Sequence, residues 1–117
     1  PTKGPLDKNN FKFTLMIRQP EFLSKKRADE FIELAFHKKK NPAVQKVRFE
    51  AIKEGRCIQM MHLGSYDEEP ASFARMEEFC VSEGLKRQNK VHREIYLNDA
   101  RKVALEKLKT VLRFKTA

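Results

Sequence analysis

Apolar and polar side chains alternate from Phe11 to Arg18, with Phe11, Phe13, Leu15 and Ile17 on one face and Lys12, Thr14, Met16 and Arg18 on the other. A period of two predicts a strand, which Pro20 ends. Between Glu21 and Lys38 the period changes, and Phe22, Leu23, Ala28, Phe31, Ile32, Ala35 and Phe36 recur every three or four positions. That spacing predicts an amphipathic helix. Acids lie near its start, and Lys38, Lys39 and Lys40 suit the negative end of its dipole. Asn41-Pro42 blocks its continuation, because a residue before proline is pushed out of the helical region.

Alternation returns at Val47, Phe49 and Ala51, and the glycine-containing turn Lys53-Glu54-Gly55-Arg56 leads into Cys57–Leu63. Together these predict a β-hairpin. Its second arm is apolar on both faces, as expected of a central strand. After Gly64-Ser65-Tyr66-Asp67 a second helix is expected from about Glu69 to Glu83, with Pro70 in its first turn and Gly84 just past its end. Phe73, Met76 and Cys80 mark its buried stripe, with Phe79 beside it. A polar connection over 85–90 precedes another strand, in which Val91, Ile95 and Leu97 alternate with His92, Glu94 and Tyr96. The last segment fits two periods: Val103, Leu105, Leu108, Val111 and Leu112 suit a helix, and Thr110–Phe114 a closing strand. The pattern predicts an α+β fold, an antiparallel sheet with helices on one face, following a loop over residues 1–10.

The chain has 117 residues, enough for one domain with one core. Its 25 Lys and Arg against 16 Asp and Glu give a net charge of +9, which brings anionic partners into consideration. The basic residues are scattered, however, and the first helix leads into a hairpin instead of a recognition helix, so nucleic acid is disfavoured as a partner. Cys57 and Cys80 belong to no CxxC pair or Cys/His cluster and read as reduced, buried fillers. The histidines His37, His62 and His92 show no metal spacing, and there is no glycine-rich phosphate loop or nucleophile elbow. Neither a metal nor a cofactor is expected. No run approaches the roughly 18 apolar residues of a membrane span, and the N-terminus lacks a signal-peptide core, so the cytoplasm is the simplest location.

Candidate chemistry centres on Glu94, which shares a strand face with His92 and Tyr96. In an enclosed site such a carboxylate would neutralise a cationic ligand, with cation–π attraction from the tyrosine ring. On alternation alone, a solvent-facing side of an antiparallel strand accounts for these residues better. Tyr66 lies in the turn before the second helix, where a side chain can reach over the end of a sheet or simply fix the start of the helix. Tyr66, His62 and Glu94 could form an acid/base set, but their spacing defines no geometry. Asp67, Glu68 and Glu69 read as structural, placed at the positive end of the helix dipole.

Two runs carry more information than their residue types. His62-Leu-Gly-Ser-Tyr-Asp-Glu-Glu-Pro70, followed by a helix, and Glu94-Ile-Tyr-Leu-Asn-Asp-Ala-Arg-Lys102 resemble the double signature of GyrI-like domains. Phe13–Pro20 and Glu106–Leu112 resemble the family too, so the similarity spans most of residues 11–115. The resemblance implies two tandem strand-helix-strand-strand modules around a cleft for hydrophobic, often cationic molecules. It implies that Glu94 is the acidic residue of that cleft, with Tyr66 and Tyr96 near it; in a ligand-binding module Met16, Met60 and His62 are expected to join them as ligand contacts. It also favours the strand for the terminal segment. One branch of the family hydrolyses cyclopropane rings of DNA-alkylating natural products, which would make Glu94 and Tyr66 catalytic; others are drug sensors or inhibitors of DNA gyrase. Ala100 stands where the family usually has proline. The strand, helix, strand and tryptophan-bearing stretch that normally precede the Phe11 segment are not in this sequence. The chain is therefore expected to be the C-terminal portion of a longer protein, its first module incomplete, with part of the cleft supplied by a missing N-terminal segment or by a second copy in a homodimer.

Overall fold

The computed structural model describes residues 12–117, which divide between Ala51 and Ile52 into two compact units. Phe11 and the expected loop over 1–10 lie outside the described residues.

In the first unit the helix α1 spans Lys25–Lys39. It starts later than its apolar pattern because Ser24 is a better cap than Glu21: the Ser24 hydroxyl accepts from the Arg27 backbone N–H at 3.2 Å. His37, Lys38 and Lys39 occupy the last turn, as the charge pattern predicts, and Lys40 closes it in the left-handed conformation. Asn41 caps a short 3₁₀ turn, Pro42–Lys46. The strand expected over 11–18 is not formed within the described residues, and neither is the first arm of the hairpin at 47–52. Alternation sets an extended backbone, but a strand also needs a hydrogen-bonded neighbour, and neither segment has one there.

The second unit holds the sheet. Strand β1 is Cys57–Leu63, helix α2 is Glu69–Ser82, strand β2 is Arg93–Tyr96 and strand β3 is Lys109–Lys115. The order is β1-β3-β2 and both pairings are antiparallel. The fold is α+β. The terminal segment is thus a strand, and it takes the central position that the sequence assigned to Cys57–Leu63. With β1 at an edge among the described strands, only its Ile58, Met60 and His62 face turns inward, leaving Met61 and Leu63 exposed.

Cross-strand register fixes the inner face. Ile58 pairs with Phe114, Met60 with Leu112, which also pairs with Glu94, and His62 with Thr110, which also pairs with Tyr96. Residues directly opposite one another project to the same side. Helix α2 covers that side with Met76 and Cys80, forming a core with Ile58, Leu112 and Phe114, against which Met60, Phe73 and Leu85 pack. Phe79 lies off this stripe and is exposed. Cys80 is a buried thiol as expected; Cys57 is only half-buried because it sits on the outer face.

Candidate functional site

The residues between β1 and α2 make a compact joint. Gly64 adopts φ +113°, its N–H reaches the Leu108 carbonyl at 2.9 Å, and the chain then turns through the 3₁₀ segment Tyr66–Glu68 into α2. His62, 3% exposed, ties this joint together. Its Nε2 lies 2.7 Å from the Ser65 carbonyl and its Nδ1 2.7 Å from the Ser72 hydroxyl. A carbonyl can only accept, so Nε2 carries a hydrogen, and in the neutral ring Nδ1 accepts from Ser72. Both ring nitrogens are thereby engaged in holding α2 to β1.

The same joint places Tyr66 against Tyr96, ring centroids 5.6 Å apart and planes at 67°. This edge-to-face contact joins the turn before α2 to the end of β2. Beside it Glu94, on the inner face of β2, accepts from His92 Nε2 at 3.1 Å. The His92 ring in turn packs edge-on against Phe73 of α2, with centroids 4.6 Å apart. Alternation left Glu94 facing solvent; in the folded unit three-quarters of its side chain is covered.

The residue that sequence reasoning missed is Glu69. It stands in the first turn of α2, where an acid complements the helix dipole, yet it is 7% exposed and turned toward the sheet. Its signal in the sequence is its spacing: Glu69 precedes Ser72, Phe73, Met76 and Cys80 by three, four, seven and eleven residues, on the buried stripe. Burial, and secondarily the nearby Glu94 carboxyl, pushes Glu69 up to about 8. Glu94 moves the other way: the His92 hydrogen bond holds its carboxyl below the usual range despite the opposing effect of burial. Burial and the field of the two carboxyls raise the Tyr96 phenol. The surroundings thus push the two acids in opposite directions, Glu69 toward keeping its proton and Glu94 toward ionisation.

Two polar atoms at this site are buried and unpartnered among the described residues, Glu69 Oε2 and Thr110 Oγ1. Thr110 lies in the ladder between His62 and Tyr96. Met60, in the same cross-strand row as Leu112 and Glu94, packs against the core. Met16, the remaining expected wall residue, lies in the extended segment of the first unit and is half exposed. No group of three or more His, Cys, Asp or Glu among the described residues could hold a metal ion.

The polar residues after β2 serve the turn. The Asn98 side chain accepts from the Lys109 N–H at 2.8 Å, starting β3, and the Asp99 side chain accepts from the Arg101 N–H at 2.9 Å. Lys102 N–H reaches the Asp99 carbonyl at 2.9 Å, so the turn closes with alanine at position 100.

In this α+β domain, Glu94 and Tyr96 on the inner face of the sheet meet Glu69 from α2 and Tyr66 from the turn before it. The chain belongs to the GyrI-like small molecule binding domain family, whose model matches residues 8–115. It is similar to the crystal structure of an uncharacterized conserved protein from Listeria innocua, with 38% identity and a TM-score of 0.78 over 86% of this chain and 50% of that one. It is also similar to the crystal structure of a hydrolase from Listeria innocua, with 36% identity and a TM-score of 0.75 over 86% of this chain and 52% of that one. The chain thus spans about half the length of these solved relatives. No curated protein matches the sequence. No helix among the described residues is long and apolar enough to cross a membrane.

Proposed function

We propose that this domain binds lipophilic small molecules bearing a positive or electrophilic centre, using Glu94 as the anionic contact and Tyr66 and Tyr96 as the aromatic wall, in the service of protection against toxic compounds. The observation that carries the reading is the largely covered Glu94, hydrogen-bonded by His92 and set beside an edge-to-face tyrosine pair and a buried second acid. A half-buried carboxylate attracts a cation more strongly than an exposed one, and the ring faces add cation–π attraction. His62 serves this site indirectly, by fixing the joint that carries Tyr66, and Met60 supplies apolar floor. Isothermal calorimetry with tetraphenylphosphonium, whose charge does not titrate, tests the reading. Glu94→Gln should weaken binding about tenfold, roughly 1.4 kcal/mol, while unchanged affinity would remove Glu94 from the site.

A second reading, hydrolysis of a strained ring, is favoured by the unequal protonation of Glu69 and Glu94 and by the hydrolase among the solved relatives. Acid/base catalysis uses a pair of groups held in opposite protonation states. Glu94 would take a proton from water as its oxygen bonds to a carbon of a cyclopropane conjugated to a carbonyl. The ring C–C bond would break, its electron pair moving into the carbonyl, which takes a proton from Glu69 or from the Tyr66 hydroxyl. The sum is addition of one water. Turnover of a cyclopropane-bearing alkylator, followed by mass spectrometry as a gain of one water, separates this reading from binding alone.

A further inference from the structure

Two acids placed together do not by themselves determine which of them holds the proton. Glu69 and Glu94 enter from different elements, the first turn of α2 and the middle of β2, and both are largely covered. What differs is their company. Glu69 Oε2 has no partner among the described residues, whereas Glu94 Oε2 lies 3.1 Å from His92 Nε2. His92 is itself held in place, packed edge-on against Phe73 at 4.6 Å; the guanidinium of Arg87 lies 6.0 Å from the centroid of that Phe73 ring. Glu94 is faced by His92 and Tyr96 from its own strand, by Glu69 from α2 and by His62 from β1, while its register partner on β3 is the uncharged Leu112. His62 is committed to Ser65 and Ser72 and has no donor left for Glu94. Of the hydrogen bonds that reach Glu94, from His92, Glu69 and Tyr96, that of His92 does most to favour its ionised form.

We propose that His92 is a positioning residue of the site: its imidazole holds the Glu94 carboxylate on the inner face of the sheet and leaves Glu69 to carry the proton the two acids share. The inference rests on the functional reading above for its importance but not for its test. A hydrogen bond to the charged form of an acid stabilises that form selectively, and a ring fixed by packing delivers the bond at little entropic cost. Without His92, Glu94 loses its main stabilisation as an anion, and the two carboxyls draw closer in proton affinity while Glu69 remains the more deeply buried.

The test is a carboxyl ¹³C NMR titration of the full chain labelled at glutamate, with the Glu69 and Glu94 signals assigned through Glu69→Gln and Glu94→Gln. His92→Phe keeps the contact with Phe73 and removes the donor. The two midpoints, well separated in the wild type, should draw together in this variant by about one pH unit or more, equivalent to a tenfold gain in proton affinity at Glu94. His92→Gln, which retains a neutral donor, should restore part of the separation. It also provides the measurement if His92→Phe does not fold, since it must then show a separation smaller than that of the wild type. Midpoints unchanged in either variant would overturn the proposal. No ligand is involved, so a failure to bind tetraphenylphosphonium would count against the proposed function and leave this inference standing.

Discussion

Glu69 and Glu94 approach each other across the junction of α2 and β2 with opposite shifts, Glu69 raised to about 8 by burial and by its neighbour, Glu94 lowered by His92. The two shifts act on stability over different ranges of pH. An unfolded chain ionises Glu69 near its ordinary value of 4.5, whereas the folded chain keeps the proton until about 8. The folded state therefore binds more protons between these limits, so the contribution of Glu69 is complete below about 4.5 and is lost as pH rises toward 8. Glu94 contributes in the other sense: its stabilisation is present above the unfolded value and lost as pH falls through its lowered folded value. Glu69→Gln should abolish the decline on the alkaline side and leave the variant more stable than the wild type at pH 9, by an amount on the order of 1 kcal/mol or more. Urea midpoints measured from pH 4 to 9 check this, and parallel curves for the two proteins would contradict it.

The Tyr66–Tyr96 contact is expected to be energetically real beyond its area. Edge-to-face pairs contribute about 0.5–1.5 kcal/mol in double-mutant cycles. Tyr66→Leu and Tyr96→Leu, singly and together, should yield a coupling of that size in stability. In the same cycle Tyr96→Phe should retain the coupling, because the ring and not the phenol makes the contact. Additive single effects would show that the rings merely adjoin.

Much of the second unit was legible in the sequence. The apolar run Cys57–Leu63 and the proline-started α2 appear close to the residues predicted, because for each the local signal and the tertiary demand agree. The two misjudged extended segments, expected over 11–18 and 47–52, share one cause within the described residues: alternation reports what a strand's faces would look like and is silent on whether a neighbour exists. Position within the sheet was misread for a related reason. β1 carries Met61 and Leu63 on its outer face, so its apolar content mimicked a central strand, while the true centre, β3, hides its inner Thr110, Leu112 and Phe114 among Lys109, Arg113 and Lys115. At the candidate site, Glu94, Tyr66 and Tyr96 were singled out through family resemblance. Glu69 was not, because an acid in the first turn of a helix already has an adequate explanation in the dipole, and only the register of α2 against the sheet turns it inward.

His62 is expected to matter for folding more than for binding chemistry. Removing its ring leaves the Ser65 carbonyl and the Ser72 hydroxyl without their partner in a buried joint, each worth about 1–3 kcal/mol when unsatisfied. His62→Ala should cost about 3 kcal/mol by chemical denaturation. Ser72→Ala should cost less, about 1–2 kcal/mol, because the Nε2 bond to Ser65 survives. In both variants, affinity for tetraphenylphosphonium under conditions where the chain is folded should change far less than in Glu94→Gln. A loss of affinity as large as that of Glu94→Gln would instead place the imidazole among the ligand contacts.

Gly64 offers a way to ask whether backbone or side-chain crowding governs the joint. Its φ of +113° is a conformation that residues with a Cβ rarely adopt, and an added Cβ would also lie 2.8 Å from Glu68 Oε2. The second difficulty is easily relieved, since a carboxylate at the end of an exposed side chain can swing away. The first cannot be, because the Gly64 N–H is fixed to the Leu108 carbonyl and the following turn must deliver Tyr66 to Tyr96. Gly64→Ala should therefore destabilise by about 1–3 kcal/mol, and adding Glu68→Ala should recover little of it. Full recovery in the double variant would mean that the carboxylate was the obstacle and that the backbone accepts the alanine. The same variants report on function: if strain at Gly64 moves the turn, the Tyr66 ring is displaced and affinity for tetraphenylphosphonium falls in Gly64→Ala with Glu94 and His92 untouched.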